Sequence, residues 1–212
     1  MDMSQGKRRG GIGPAAWRQC ALLLVALSLS VLTEAASQEG ALDERPNILF
    51  IVVDDMGVND FGFNGNTEIH TPNIDTLAAQ SVRFTRNYVD STCKATRAGI
   101  LTGMAPVANG FRPDGIGISP EITTLPEVLR DAGYSTHHIG KWHLGYVSRL
   151  AYPTAQGYDS FFGFLAQQLL GGPENGKLVV KRPRYKNPWL QHDSALPTEY
   201  PGHLTDILAE HV

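Results

Sequence analysis

The pattern of apolar positions predicts three strands between residues 45 and 145. Six consecutive apolar residues at 48–53 predict a strand that is buried on both faces, as in a parallel sheet. Apolar residues two or four positions apart at 82–88 predict a second strand, although Arg86 interrupts the alternation. Residues 134–139 predict a third strand, which ends immediately before Gly140.

Helix signals lie between and beside these strands. Thr71-Pro72 has the residue types of a helix start, with threonine as N-cap and proline at the first helical position. Residues 95–101 predict a second helix, which Gly103 ends. Thr124 and Glu127 have the capping-box spacing that predicts a third. Strands and helices therefore alternate, which predicts an α/β fold with a mainly parallel sheet flanked by helices. Ligands of such sheets bind beyond the carboxyl ends of the strands.

The pattern weakens after residue 170. Residues 171–188 are rich in glycine, proline and basic residues and predict a long surface excursion. We interpret the basic run at 181–184 as a solvated loop rather than a binding patch. A helix begins at Leu204 and the chain ends at Val212, which leaves only two turns of helix with little to bury. We therefore expect residues 45–212 to be the amino-terminal part of a domain that is incomplete at its carboxyl end.

The first 36 residues predict a secretory signal peptide. Four basic residues within the first 18 precede a largely apolar stretch at 21–32, and mostly small residues follow at 33–37, where cleavage is expected. The apolar stretch is shorter than the roughly 20 residues that span a bilayer. An uncleaved signal anchor is the competing interpretation. We expect a protein that is exported to a lysosome, a periplasm or the extracellular space, with no stable membrane anchor after cleavage.

Composition and cysteine content narrow the class of protein. The chain is 42% apolar and 18% charged, which is typical of globular proteins. Its net charge of −3 lacks the positive excess that is typical of proteins that bind nucleic acid. Cys20 lies at the edge of the signal segment, so cleavage leaves Cys93 without a possible disulfide partner in the chain. An unpaired cysteine of this kind is either a buried structural thiol or a reactive group.

Two adjacent carboxylates, Asp54 and Asp55, follow the first predicted strand. Two like charges held together raise the free energy unless a cation or a shared proton relieves them. Carboxylate oxygens are ligands that suit Ca²⁺ or Mg²⁺. The alternative is a turn in which one aspartate caps the following element.

Candidate chemistry also surrounds Cys93, which precedes the second predicted helix, where N–H groups and the helix dipole attract anions. Arg97 lies four residues later on the same helix face, where a guanidinium can hold an oxyanion. Lys141 and His143 are two residues apart in an extended stretch, so their side chains point the same way. One could neutralise an anion while the other transfers a proton. In the alternative interpretation, Arg97 only solvates its helix and Trp142 packs inward with its neighbours facing solvent.

In their order and spacing, these motifs resemble those of the sulfatase family. The resemblance covers residues 45–164 and has features of the B-type arylsulfatases, which act on sulfated sugars. The motifs that carry it are Arg45-Pro46-Asn47, Asp54-Asp55-Met56-Gly57, Thr71-Pro72-Asn73-Ile74-Asp75, Cys93-Lys94-Ala95-Thr96-Arg97, the stretch from Gly140 to Gly145, and Gly157-Tyr158-Asp159.

The resemblance implies a sulfuric ester hydrolase with an alkaline-phosphatase-like catalytic domain and a sulfated small molecule or carbohydrate as substrate. In that family a formylglycine-generating enzyme oxidises the signature cysteine to formylglycine (3-oxoalanine) during export, and the hydrated aldehyde is the nucleophile. One Ca²⁺ ion orients this group. The roles that carry over are Cys93 as formylglycine precursor, nucleophile and metal contact, Asp54 and Asp55 as calcium ligands, Arg97 as stabiliser of the hydrate, Lys141 as sulfate ligand, and His143 as the group that assists at the hydrate.

Several departures from the family pattern bear on this interpretation. Ala95 stands where proline is commoner, and Lys94 where a small polar residue is more usual. The family's second metal pair, second histidine and second lysine come later in the chain and match nothing here, so we expect this chain to bind calcium weakly and to turn over little or nothing. His192, His203 and Asp206 are given no site role. Two alternatives stay open: a phosphonate or phosphodiester hydrolase of the same superfamily, and a non-catalytic truncated secreted product.

Overall fold

The computed structural model describes residues 45–105, 107–112, 114–166, 170–174, 177–180 and 184–212. The predicted signal peptide at 1–36, and most of the basic run at 181–184, lie outside the described residues. The chain divides into two compact units, Met1–Val52 and Val53–Val212, which are considered separately.

The described residues of the first unit, 45–52, contain no regular secondary structure. Their apolar side chains are exposed, for example Phe50 at 63% and Ile51 at 70%. The predicted strand at 48–53 is therefore not formed. A strand is stabilised by backbone hydrogen bonds to a neighbouring strand. No strand among the described residues pairs with this segment, so its apolar run does not produce a ladder.

The described part of the second unit contains both helices and strands. No helix within it is long and apolar enough to cross a membrane. The α-helices are α1 (Pro72–Ala79), α2 (Cys93–Thr102), α3 (Leu125–Asp131) and α4 (Leu204–Ala209). The strands are β1 (His137–Lys141), β2 (Ser160–Phe164), β3 (Leu170–Glu174), β4 (Lys177–Val180), β5 (Trp189–His192) and β6 (Thr198–Glu199), and short 3-10 segments lie at Val58–Asp60, Gly62–Asn64, Arg149–Ala151 and Pro153–Gln156.

The predicted helix starts are confirmed. Thr71 and Thr124 stand at the N-caps of α1 and α3, each followed by proline in the first turn. The Glu127 carboxylate accepts a hydrogen bond from the backbone N–H of Thr124 at 2.7 Å, which completes the predicted capping box. Gly103 ends α2 in the left-handed conformation, with φ of 64°. These predictions succeed because a helix cap depends on residues within one turn of each other.

The main sheet has the strand order β1-β2-β5-β6. β1 and β2 are parallel, with His137 opposite Ser160 and Lys141 opposite Phe164. β2 pairs antiparallel with β5, and β5 with β6, so the described sheet is mixed rather than mainly parallel. β3 and β4 form a separate antiparallel pair.

Three other predictions on strands and loops need correction. Residues 82–88 form no strand, and Phe84 and Tyr88 are exposed at 83% and 87%, because no described strand lies beside them. The third predicted strand begins three residues later, at His137, where pairing with β2 begins. The predicted excursion at 171–188 instead contains most of the β3 and β4 pair. Gly171, Gly172 and Pro173, which are typical of turns, lie within strand β3.

Strand β2 separates the two parts of the core, because successive side chains of a strand point to opposite faces. Phe161 packs with Trp142 and Leu144 in one cluster. Phe162 packs in the other cluster with Leu190 of β5 and with α4. Helix α4 buries Leu204 and Ile207 to 7% and 6% exposure, although the sequence predicted that so short a helix would bury little. Burial against the sheet therefore stabilises a helix too short to be stable alone.

Candidate active site

Helix α2 places Cys93 at its first turn. The Thr92 side chain accepts a hydrogen bond from the backbone N–H of Ala95 at 3.4 Å, so Thr92 is the N-cap. Cys93 is the first helical residue and is partly buried. Ala98 and Leu101, on the same helix, are buried in the core and fix the face that α2 turns inward.

The end of strand β1 supplies Lys141 and His143. Trp142 between them is 1% exposed, and its indole N–H donates to the carbonyl of Ala151 at 2.8 Å. His143 follows with a left-handed backbone, at φ of 61°. The predicted alternative for this stretch is therefore half right: Trp142 does pack inward, but Lys141 and His143 both reach Cys93 rather than facing solvent.

Five predicted residues form one cluster around the thiol. The Sγ atom of Cys93 lies 3.4 Å from Nδ1 of His143 and 3.6 Å from Nζ of Lys141. The Lys141 ammonium also donates to Oδ2 of Asp54 at 2.6 Å. Arg97 contributes an ion pair of 3.6 Å from Nη2 to Oδ1 of Asp54, and its Nη1 donates to the carbonyl of Lys141 at 2.7 Å. Residues 87 positions apart in sequence are thus in contact.

The two cations dominate the electrostatics of this cluster. The side chains of Lys141 and Arg97 are only 10% and 11% exposed, and that of Asp54 is 32% exposed. Burial pushes the pKa of Asp54 upward, but the hydrogen bond and charge of Lys141, together with Arg97, outweigh it and hold that pKa below its ordinary value. Asp54 is therefore ionised at neutral pH.

The pKa of His143 is lowered, whereas a carboxylate alone would raise the pKa of a neighbouring histidine. Burial, followed by repulsion from Lys141, Arg97 and Lys94, lowers its pKa from 6.5 to about 4. The negative charge of Asp54 opposes this shift but does not cancel it. His143 is neutral above pH 5 and one of its ring nitrogens can accept a proton.

We expect the free energy of unfolding to fall as the pH drops from about 6.5 toward 4. In that window the unfolded chain protonates His138 and His143, whereas the folded chain keeps both neutral, since the pKa of each is about 4 in the fold. Each histidine contributes less than about 1.4 kcal/mol per pH unit, and partly exposed His143 contributes the smaller share. Urea titrations at pH 7, 5.5 and 4.5 measure the slope. The variant His143→Asn should reduce the slope by that smaller share, and a wild-type slope of zero would contradict the assignment.

Asp55 is beside this cluster in sequence but not joined to it. It is exposed and has a left-handed backbone, at φ of 55°. Among the described residues, no hydrogen bond or ion pair connects Asp55 to the cluster, whose carboxylate contacts go to Asp54. Nor do the described residues contain a group of three or more histidine, cysteine, aspartate or glutamate side chains placed to share a metal ion. Asp54 and Asp55 offer the oxygen chemistry that calcium prefers, but their two carboxylates supply at most four of the six to eight oxygen ligands it takes.

His138 is a site-related residue that the sequence analysis missed. It lies on β1, and its Nε2 is 3.2 Å from the carbonyl oxygen of Lys141. Its ring is surrounded by Trp142, Tyr158 and Phe161, with centroid distances of 5.2 to 5.8 Å. Adjacent histidines at 137 and 138 on opposite faces of a strand were the available signal, because one of the two had to point inward.

Comparison with known proteins identifies similar proteins and one matching family model. A model of the sulfatase family matches residues 46–210. Arylsulfatase J of Mus musculus is 38% identical over 150 residues, which cover 63% of this chain and 25% of that protein. N-acetylgalactosamine-6-sulfatase of Mus musculus is 36% identical over 180 residues, which cover 78% of this chain and 33% of that protein. The chain therefore spans about a quarter to a third of the length of these curated relatives.

Solved structures agree with the predicted fold class. The crystal structure of Ps i-CgsB matches with a TM-score of 0.67 at 28% identity, covering 79% of this chain and 40% of that one. A protein solved in complex with its substrate, D-glucosamine-2-N,6-O-disulfate, matches with a TM-score of 0.63 at 31% identity, covering 79% and 30% respectively. The prediction of an α/β fold is confirmed by this likeness.

Proposed function

Because the chain belongs to the sulfatase family, we propose that it carries the amino-terminal part of a sulfuric ester hydrolase. Cys93 is the precursor of its formylglycine, and one Ca²⁺ ion belongs to the site. The observation that carries this proposal is the convergence of Lys141 and His143 on the Cys93 thiol, within 3.6 Å, at the start of helix α2.

The charges around Cys93 suit an anionic substrate. Formylglycine, when formed, supplies an oxygen nucleophile at the position of the Cys93 side chain. Lys141 is close enough to that position to bind the sulfate oxygens, and its charge opposes the negative charge that develops on them. His143 is neutral and within 3.4 Å of Sγ, so it can take or return a proton beside the nucleophile. Arg97 holds the carbonyl of Lys141 and the carboxylate of Asp54, which keeps the lysine in place.

The calcium part of the proposal depends on Asp54 and Asp55. Both would hold the ion through carboxylate oxygens, and the ion would add positive charge beside the nucleophile. Lys141 and Arg97 already neutralise Asp54 in this structure. We therefore expect weak calcium binding by this chain.

A sulfated sugar is the substrate class that we favour. Relatives of this chain are named for a sulfated N-acetylgalactosamine, and a similar solved structure holds a disulfated glucosamine. Sugar sulfates carry a fixed negative charge, which fits a site with two partly buried cations. We also propose that the chain is exported through residues 1–36 and that a formylglycine-generating enzyme is its partner during export.

Conversion of Cys93 is the first experimental test. When the chain is expressed together with the modifying enzyme, the tryptic peptide of residues 87–94 should become lighter by about 18 Da, the difference between a cysteine and a formylglycine residue. Mass spectrometry of that peptide measures the conversion. The variant Cys93→Ala is the control and should show no such shift. A peptide that keeps its thiol under these conditions would contradict the proposal.

Substrate choice provides the second test. Any hydrolysis by the converted chain should release sulfate from an aryl sulfate, and from a 6-sulfated amino sugar, in a calcium-dependent manner. Hydrolysis of an aryl phosphodiester without hydrolysis of either sulfate would instead favour the phosphodiester branch of the superfamily. Full conversion of Cys93 with no hydrolysis of any of these esters would favour the non-catalytic product.

A further inference from the structure

The carbonyl oxygen of Lys141 accepts two side-chain hydrogen bonds. Arg97 Nη1 donates one at 2.7 Å from helix α2. His138 Nε2 lies at 3.2 Å and approaches from three residues earlier in the same strand. A carbonyl oxygen has two lone pairs, so these two donors satisfy it fully.

This carbonyl belongs to the peptide unit that joins Lys141 to Trp142. The N–H of the same peptide unit donates to the carbonyl of Phe164 at 3.0 Å, and the next N–H, of His143, donates to Leu165 at 3.1 Å. The peptide plane is therefore held on both edges. Lys141 and His143, on either side of Trp142, both contact the Cys93 thiol. The orientation of this peptide plane therefore determines the directions in which the two side chains leave the backbone.

The environment of His138 fixes which of its nitrogens carries the hydrogen. A carbonyl oxygen can only accept, so Nε2 must be the protonated nitrogen. Burial against Trp142, Tyr158 and Phe161 lowers the pKa of His138 to about 4, although its bond to Lys141 opposes the shift. At neutral pH the ring is therefore a neutral donor rather than a cation. It differs in this from Arg97, the other donor to the same oxygen.

We propose that His138 is a positioning residue of the site, which fixes the Lys141–Trp142 peptide through its Nε2–H bond and thereby aims Lys141 and His143 at residue 93. Its importance for catalysis rests on the proposed function, but the bond itself does not. The competing explanation is that the ring only fills space among three aromatic side chains. Two substitutions at position 138 distinguish these explanations: one keeps a hydrogen-bond donor without the ring, and the other keeps an aromatic ring without the donor.

The variants His138→Gln and His138→Phe make this distinction. Glutamine places an amide N–H near the position of Nε2 but is not aromatic, whereas phenylalanine keeps the ring and loses the donor. The matched control is His137→Phe, since His137 is exposed on the opposite face and contacts Ser160 rather than Lys141. The readout is amide hydrogen exchange of Trp142 by NMR in the full 212-residue chain.

We expect His138→Phe to speed exchange of the Trp142 amide by about fivefold, the size expected for one lost hydrogen bond. His138→Gln should restore most of the protection, and His137→Phe should leave it unchanged. Protection kept by phenylalanine and lost with glutamine would show that the ring only packs, and would overturn the proposal. In the wild-type chain, nitrogen chemical shifts that place the hydrogen on Nδ1 would overturn it even if a variant fails to fold.

A kinetic readout links the bond to catalysis. In the converted chain, His138→Phe should lower kcat for an aryl sulfate by about tenfold, because misplacing a charged group by a fraction of an ångström weakens its contact with the transition state. The glutamine variant should recover most of that loss. If the wild-type chain hydrolyses no sulfate ester, the proposed function fails, and the exchange measurement still decides whether His138 positions the peptide.

Discussion

Replacing Cys93 by alanine is expected to abolish sulfate-ester hydrolysis, with a loss of at least about a thousandfold in kcat relative to the converted wild-type chain. Alanine has no group that can be oxidised to the aldehyde, so the nucleophile is never formed. Lys141, His143 and Arg97 remain in place around an empty reaction centre. The rate of sulfate release from an aryl sulfate, normalised to the aldehyde content of the wild-type chain, measures the effect.

The fold should survive this substitution. Cys93 is partly buried at the first turn of α2, and the N-cap bond from Ala95 to Thr92 does not involve its side chain. Urea unfolding of Cys93→Ala should therefore be close to that of the wild type. The variant Ser91→Ala, two residues earlier at an exposed position, is the activity control and should keep nearly full activity. Equal hydrolysis by Cys93→Ala and wild type would remove Cys93 from the mechanism.

A large effect on stability is expected at Gly163 in strand β2. Gly163 lies opposite Gly140 in the parallel pair of β1 and β2. A Cβ atom at Gly163 would overlap the backbone carbonyl of Gly140, and its φ of 156° is rarely adopted by other residues. Backbone cannot turn aside as a flexible side chain can, so the two strands must separate. We expect Gly163→Ala to lower the free energy of unfolding by about 3 kcal/mol or more, measured by urea denaturation.

Gly103→Ala is the matched control for this experiment. Gly103 also has a positive φ, of 64°, but nothing lies within 4 Å of the position that its Cβ would take. Gly103→Ala should therefore lower the free energy of unfolding by only about 1 kcal/mol, the cost of holding alanine in the left-handed conformation. If the two variants were equally stable, the close approach of β1 and β2 at these glycines would be wrong. Loss of this approach would also move Lys141, the next residue after Gly140.

More of the candidate site than of the sheet could be predicted from the sequence. Asp54, Cys93, Arg97, Lys141 and His143 were each identified by residue type and spacing, and the structure brings them into contact across as many as 87 positions. Their catalytic roles stay predictions. The contact between Asp54 and the two cations was not predicted, because nothing local indicates that the segment with Asp54 lies beside both the end of β1 and helix α2. His138 was missed although the adjacent histidines at 137 and 138 gave a local signal, since one of the two had to point inward.

The sequence by itself determined the features that depend on neighbouring residues. The caps at Thr71 and Thr124 and the glycine that ends α2 set the helix boundaries within a few positions. The ordered motifs were enough to identify the family from the sequence alone, because the motif residues keep their order and spacing along the chain.

Only the tertiary structure decided which apolar segments become strands. Residues 48–53 and 82–88 have strand patterns but no partner among the described residues, whereas β1 pairs with β2 along five positions. A ladder needs hydrogen bonds from a segment distant in sequence, and no local pattern supplies them. The same holds for Cys93. Its place in the motif named it as a candidate, but its contacts with Lys141 and His143 depend on Trp142, between them, sharing a core cluster with Ala98 and Leu101 of α2.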